Sequence, residues 1–215
     1  MSRMVRYRID APASRLSAQA FASGAFSAFG HNPTFAVRDV RGDLALDPDA
    51  PTAGSLRVVI KPDSMTVSGE VNDKDRREIE QKTRDEVLET GLYPEITYEC
   101  RNGQVVAHGP LQLTLSGELT LHGVTRPQIV SARLFLTGDT VRAQGEATVR
   151  QSEYGIRLVS AAGGMLKVKE EVKLTFDIVA RLVAEQQEDA GGAEPGTSAG
   201  EGGEAKAATV PVRAR

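Results

Sequence analysis

The chain reads as mainly β: about eight antiparallel strands closed into a barrel, with one surface α-helix and a disordered C-terminal tail. Three observations lead there. From Leu111 to Leu121 the odd positions (Leu111, Leu113, Leu115, Gly117, Leu119, Leu121) are apolar or small, while Gln112, Thr114, Ser116, Glu118 and Thr120 alternate with them. That is the period of a strand with one dry face. The alternation recurs over Val141–Val149, and over Leu166–Leu182, where every even position except Glu170 is apolar. Only one stretch, Asp73–Thr90, reads as a solid helix. A strand of about 11 residues at about 3.3 Å each is roughly 35 Å long. A dry row of that length must be covered by further sheet, and a closed barrel covers it without leaving an edge.

In chain order, Met4–Ile9 is a short strand ended by Ala11-Pro12, and Arg15–Ala22 is a weaker one. Phe21, Phe26 and Phe29 stand among small residues and glycines up to His31, which predicts a turn of helix in a buried loop. From Thr34 to Leu46 the apolar phase moves from odd positions (Phe35, Val37) to even ones (Val40, Gly42, Leu44, Leu46). That slip predicts a bulge or corner near Arg38-Asp39. Asp47–Pro51 is a turn, and Ser55–Lys61 is a strand with Leu56, Val58 and Ile60 inward.

Asn72 is a good N-cap for the helix, and Gly91 stands where a C-terminal stop belongs. Val71, Ile79, Val87 and Leu88 share one narrow stripe with Thr83, so the helix should lie on the surface of a sheet. Tyr93-Pro94 breaks it, and Glu95–Cys100 returns to strand. Asn102-Gly103 signals a hairpin leading to Val105–Ala107. After the long strand come a turn over His122–Pro127, a strand over Gln128–Leu136, a turn at Gly138-Asp139, the strand Val141–Val149, and an irregular loop from Gln151 to Met165.

The 215 residues make one domain, residues 1–183, plus a Gly/Ala/Glu-rich tail, residues 184–215, with no apolar period. Hydrophobic residues are 40% and charged residues 26%, with a formal net charge of −3, so nothing electrostatic argues for nucleic acid. The single cysteine, Cys100, excludes an internal disulfide framework. No run of about 18 apolar residues is present to span a membrane as a helix. Met1–Asp10 is charged and lacks the apolar core of a secretory signal. The expected location is therefore cytoplasmic, or periplasmic for a chain that has been trimmed.

Function depends on how full the barrel is. Gly117, Ala132, Ala143, Gly145 and Ala147 are small residues on inward faces, and there is no tryptophan to fill the space. They favour an elongated cavity, while large residues from other strands could equally fill the gaps.

Several segments together resemble the YceI-like family. They are Asn72–Ile79, Glu86–Thr90, Tyr93–Tyr98 and Gly117–Pro127, with Phe29-Gly-His-Asn-Pro33 before them and Ser152-Glu-Tyr-Gly-Ile156 after. The likeness spans roughly residues 5–183. It implies a lipocalin-like eight-stranded antiparallel barrel with a helix beside it, and an apolar cavity for a polyisoprenoid or other long-chain amphiphile, with no enzymatic activity. It also implies a carrier, storage or sequestration role. The alternative is a packed, ligand-free barrel acting as a protein-interaction or stress-related module.

For a lipid ligand the expected wall residues are Phe26, Phe29, Phe35, Leu113, Leu115, Leu119, Ala143, Ala147, Leu174 and Phe176. Polar groups at the mouth would set specificity. His31, Asn32 and Tyr154 are candidates, and Arg157 would pair with a pyrophosphate head. His31, His108 and His122 are too scattered for a metal site, and no catalytic constellation stands out. No cofactor is expected beyond an isoprenoid-type lipid. The expected partner is that isoprenoid or fatty lipid, with self-association into a homodimer left open.

Overall fold

The structure, a computed structural model, describes residues 4–23, 32–101, 105–107, 112–158, 160–161 and 166–183. Its strands are β1 (Val5–Ile9), β2 (Arg15–Gln19), β3 (Ala22–Ser23), β4 (Thr34–Val37), β5 (Val40–Asp47), β6 (Ala50–Ile60), β7 (Met65–Ser68) and β8 (Ile96–Cys100). Then follow β9 (Val105–Ala107), β10 (Gln112–Leu121), β11 (Val124–Thr137), β12 (Thr140–Arg150), β13 (Ser160–Ala161), β14 (Leu166–Val168) and β15 (Glu171–Leu182). The helix α1 is Asp73–Lys82.

Eight strands form a closed antiparallel ring in the order β1-β5-β6-β8-β10-β11-β12-β15, which returns to β1 through the pair Ile9↔Ala180. The long alternating rows are thus staves of one barrel. A first core cluster, Tyr7, Leu46, Leu113, Leu134, Val141 and Ala180, lies where the ring closes. Lys169-Glu170 interrupts the expected single strand Leu166–Leu182, because the Glu170 carboxylate turns aside to Arg150 and Ser152. The predicted helical turn over residues 24–31, the Asn102-Gly103 hairpin and the tail of residues 184–215 lie outside the described residues.

What distinguishes the barrel is that three staves break at the same height. Along one edge β15 pairs with β1 at Ala180–Leu182 and with β2 at Lys173–Asp177. Between them Ser14 Oγ donates to the Asp10 carbonyl at 2.7 Å and accepts from Val179 N–H at 3.0 Å. The predicted corner at Arg38-Asp39 separates β4 from β5, and both backbone N–H groups donate to Ser64 Oγ. A 3-10 turn over Pro62–Ser64 separates β6 from β7. The outer halves β2, β4 and β7 pair with one another as a flap attached to β15. The inner half of the third stave, β6, pairs with β8 only as far as Ile60↔Ile96.

The helix covers the gap this opens. It follows β7 and packs beside it, and Glu80 accepts from Val67 N–H at 2.8 Å on that strand. A helix side chain thereby satisfies a strand-edge donor. The Asn72 side chain accepts from Lys74 N–H at 3.1 Å and Asp75 N–H at 3.0 Å, as a cap should.

The far end of the helix differs from expectation. Regular α-helix stops at Lys82 and passes into a π-turn over Thr83–Val87, where Leu88 N–H reaches the Thr83 carbonyl. The left-handed residue is Glu89 (φ 43°), not Gly91. Tertiary contacts hold it there: the Glu89 carboxylate meets His122 Nε2 at 2.7 Å, and the Tyr93 ring stacks on His122 with centroids 4.3 Å apart.

The turn after β10 is also tighter than the predicted span to Pro127. His122 and Gly123 alone form it, both with positive φ (52° and 74°), as a type I′ hairpin requires. Pro127 sits inside β11 where β12 does not reach, since β12 pairs only with Ser131–Thr137. Its missing N–H therefore costs no ladder bond on that side.

Candidate functional site

Two of the five small inward residues are slots for aromatic rings. A Cβ on Gly117 would lie 2.4 Å from the Glu99 carbonyl oxygen and 2.6 Å from the Tyr98 ring. One on Gly145 would lie 2.7 Å from the tip of Phe176, its cross-strand partner. The rings thus occupy space that composition had left open. The Tyr98 hydroxyl accepts from Gly117 N–H at 3.1 Å and donates toward the Leu115 or Gln128 carbonyl at 3.2 and 3.3 Å. Burial pushes its pKa well up, so it remains a neutral donor at all ordinary pH. The middle of the barrel consequently keeps a narrow chamber of about 170 Å³, lined by residues including Leu113, Leu115, Ala143, Ala147 and Ile178.

The larger space, about 560 Å³, lies where the staves break. Ala18, Phe35 and Met65 line it from the flap, Ile79, Thr83, Val87 and Leu88 from the helix and its π-turn, and Leu121, Val149 and Val172 from the barrel wall. Its volume is within the roughly 300–1,000 Å³ of small-molecule pockets. Leu16, Ile60, Leu119 and Leu174 line both chambers and form a waist between them. Polar side chains are few in the larger chamber: Ser17, Asp75, Lys82, Thr83 and Gln151.

Of the residues predicted from sequence, Leu113, Leu115, Ala143, Ala147 and Phe176 line the narrow chamber, Phe35 the large one, and Leu119 and Leu174 both. Tyr154 does not line either chamber. It is 1% exposed and packed with Leu119, Leu121, Val149 and Ile156 in a second core cluster. Arg157 is exposed and lines neither chamber. The 3-10 turn Gln151–Tyr154 carries Tyr154 into the core and leaves Arg157 beyond it, on the surface. Phe26, Phe29 and His31 lie outside the described residues.

Sequence reasoning read Ile60 as inward but did not single out Leu16, Ala18, Met65 or Gln151 as lining residues. The helix stripe was the available signal for a chamber under the helix: Ile79, Thr83, Val87 and Leu88 line it, while Val71, which precedes the helix, does not. Among the described residues, no three His, Cys, Asp or Glu side chains are grouped to hold a metal. Nor is any helix among them long and apolar enough to cross a membrane.

Comparison with known proteins agrees with this architecture. The model of the YceI-like domain matches residues 7–180. A UPF0312 protein of Pseudomonas paraeruginosa is 29% identical over 126 residues, 56% of this chain and 61% of that protein. Protein YceI of Escherichia coli O157:H7 is 29% identical over 102 residues, 47% of this chain and 49% of that protein. The matched part thus covers less than two thirds of these relatives' length.

Among solved structures, BcnA of Burkholderia cenocepacia superimposes with a TM-score of 0.62 at 18% identity, over 80% of this chain and 98% of that one. A polyisoprenoid binding domain from Saccharophagus degradans, implicated in plant cell wall breakdown, gives 0.58 at 18% identity over 83% and 99%. Those two likenesses concern the fold. The match over residues 7–180, together with the closed eight-stranded ring and its capping helix, establishes that this chain belongs to the YceI-like domain family.

Proposed function

We propose that this protein binds a polyisoprenoid, or an amphiphile with a similar long tail, and carries, stores or sequesters it without chemical change. The observation that supports this most directly is the shared waist. Four apolar side chains, Leu16, Ile60, Leu119 and Leu174, belong to the walls of both chambers, so the chambers adjoin and a long tail that displaces these side chains would extend from one into the other. A compact ligand would fill only the larger chamber. Each buried CH2 contributes about 0.8 kcal/mol before ordering costs, so a few isoprene units supply ample driving force. Family membership and the polyisoprenoid binding domain of Saccharophagus degradans support the same ligand class.

The test is organic extraction of the purified protein followed by mass analysis, with native mass spectrometry of the intact chain. The expected result is a co-purifying long-chain lipid at up to one per chain. If no lipid is extracted and the protein also fails to take up added prenyl compounds, the reading falls. The barrel would then act as a packed module through its outer surface.

A further inference from the structure

One polar group on the wall of the larger chamber is left with unused capacity. Gln151 is 7% exposed, and it and Asp47 are the buried polar or charged residues among the described positions; only Gln151 lines a chamber. Its backbone is fully used: N–H donates to the Glu170 carbonyl, and C=O accepts from Ile156 N–H at 3.2 Å. Its side-chain Nε2 donates to the Lys169 carbonyl at 3.0 Å, and a carbonyl partner determines which end of the amide is nitrogen. The other end, Oε1, accepts from no donor among the described residues. An acceptor without a protein donor on an otherwise apolar wall has its lone pairs available to a donor on a bound ligand.

We infer that Gln151 is a specificity-determining residue, whose Oε1 accepts a hydrogen bond from a hydroxyl on the ligand head. The bound species is then a neutral prenyl alcohol, not a prenyl diphosphate. Charge around the chamber points the same way. The expected diphosphate partner, Arg157, is exposed and outside the lining. Lys82 lines the chamber but lies within 3.8 Å of the Glu86 carboxylate, and Asp75 adds a carboxylate to the same wall. A diphosphate there would meet an amide oxygen and the Asp75 carboxylate, both acceptors, with Lys82 the one cation of the lining and Glu86 already beside it. An alcohol head at Gln151 leaves its tail to pass the waist toward the narrow chamber.

This inference rests on the lipid-binding reading, and the experiment separates the two. Displacement of a fluorescent apolar probe is measured with geranylgeraniol, its methyl ether and geranylgeranyl diphosphate, whose tails are identical. In the wild type the alcohol is expected to bind about tenfold more tightly than the ether, the scale of one hydrogen bond to a buried acceptor, and more tightly than the diphosphate. Gln151→Leu is expected to remove the alcohol's advantage while still binding the ether. The wild-type comparison needs no variant, so it stands even if the substitution unfolds the turn. Equal wild-type binding of alcohol and ether, tighter binding of the diphosphate, or a preference for the alcohol that survives in Gln151→Leu would overturn the role of Gln151 and leave the lipid carrier intact. Binding of none of the three would remove the carrier reading and this inference with it.

Discussion

At the scale of single residues, the barrel is shaped by glycines that admit neighbouring rings. Gly117 takes Tyr98, Gly145 takes Phe176, and Gly123 takes Tyr93. At Gly145 the crowding also involves backbone, because an added Cβ would lie 2.1 Å from the Ser131 carbonyl oxygen, which cannot rotate away. Gly145→Ala is therefore expected to destabilise the fold by about 1–3 kcal/mol through overpacking, read as a lower urea midpoint at unchanged slope. Gly138, with open space at its Cβ position and φ 55°, makes a suitable control: alanine there should cost only about 1 kcal/mol of backbone strain. Tyr98→Phe keeps the ring but deletes the hydroxyl that serves Gly117, Leu115 and Gln128. A loss of about 1–3 kcal/mol is expected by the same measurement, since the Gly117 N–H is left without its acceptor.

At the scale of elements, the helix is a cover anchored at both ends. Asn72 caps its start, Glu80 ties its middle to the edge of β7, and Glu89 with His122 and Tyr93 holds the π-turn against the β10–β11 hairpin. The helix has no fully buried residue, so its place depends on these attachments and on the Ile79-Thr83-Val87-Leu88 face. Asn72→Ala is expected to cost about 1 kcal/mol. Because the loss falls on the cover, hydrogen-exchange protection over residues 73–88 should drop more than protection in β10 or β12. Equal loss in helix and barrel would show that the helix does not open independently of the barrel.

For the molecule as a whole, four carboxylates are held below their usual pKa by hydrogen-bonded cations: Asp10 by Arg181, Glu95 by Lys61, Glu170 by Arg150, and Asp177 by Arg142. A depressed folded-state pKa means that the unfolded chain takes up protons first. These pairs therefore contribute stability above the ordinary carboxylate range, near pH 4, and lose it as the pH falls through that range toward the depressed values. The melting temperature should be flat from pH 7 to about 5 and fall below about pH 4, with the fall weakened by salt because both members of each pair are partly exposed. The two-chamber interior makes a separate prediction. Ala147 lines the narrow chamber, so Ala147→Trp should plug it, sharply weakening uptake of long prenyl chains but leaving short ones that fill only the larger chamber. Unchanged uptake of long chains by a folded variant would exclude the narrow chamber from the binding path.

Much of the barrel was legible in the chain. Period-2 alternation marks the long staves because each has one dry face, the phase slip at Arg38-Asp39 marks a real break, and Asn72 marks the start of the helix by its capping chemistry. These are local properties, carried by residues close together in sequence. Where the cavity sits was not local. Whether Gly117 or Gly145 leaves a void depends on a ring supplied by another strand. The large chamber exists because three staves, far apart in sequence, break at one height and a helix covers the gap. The same holds for Tyr154, carried into the core by a short turn, for Arg157, left on the surface beyond it, and for Gln151, whose amide oxygen meets no donor among the described residues. Sequence alone therefore determined the staves and their dry faces, while long-range pairing alone decided how much of the interior is filled and which polar side chains line what is left.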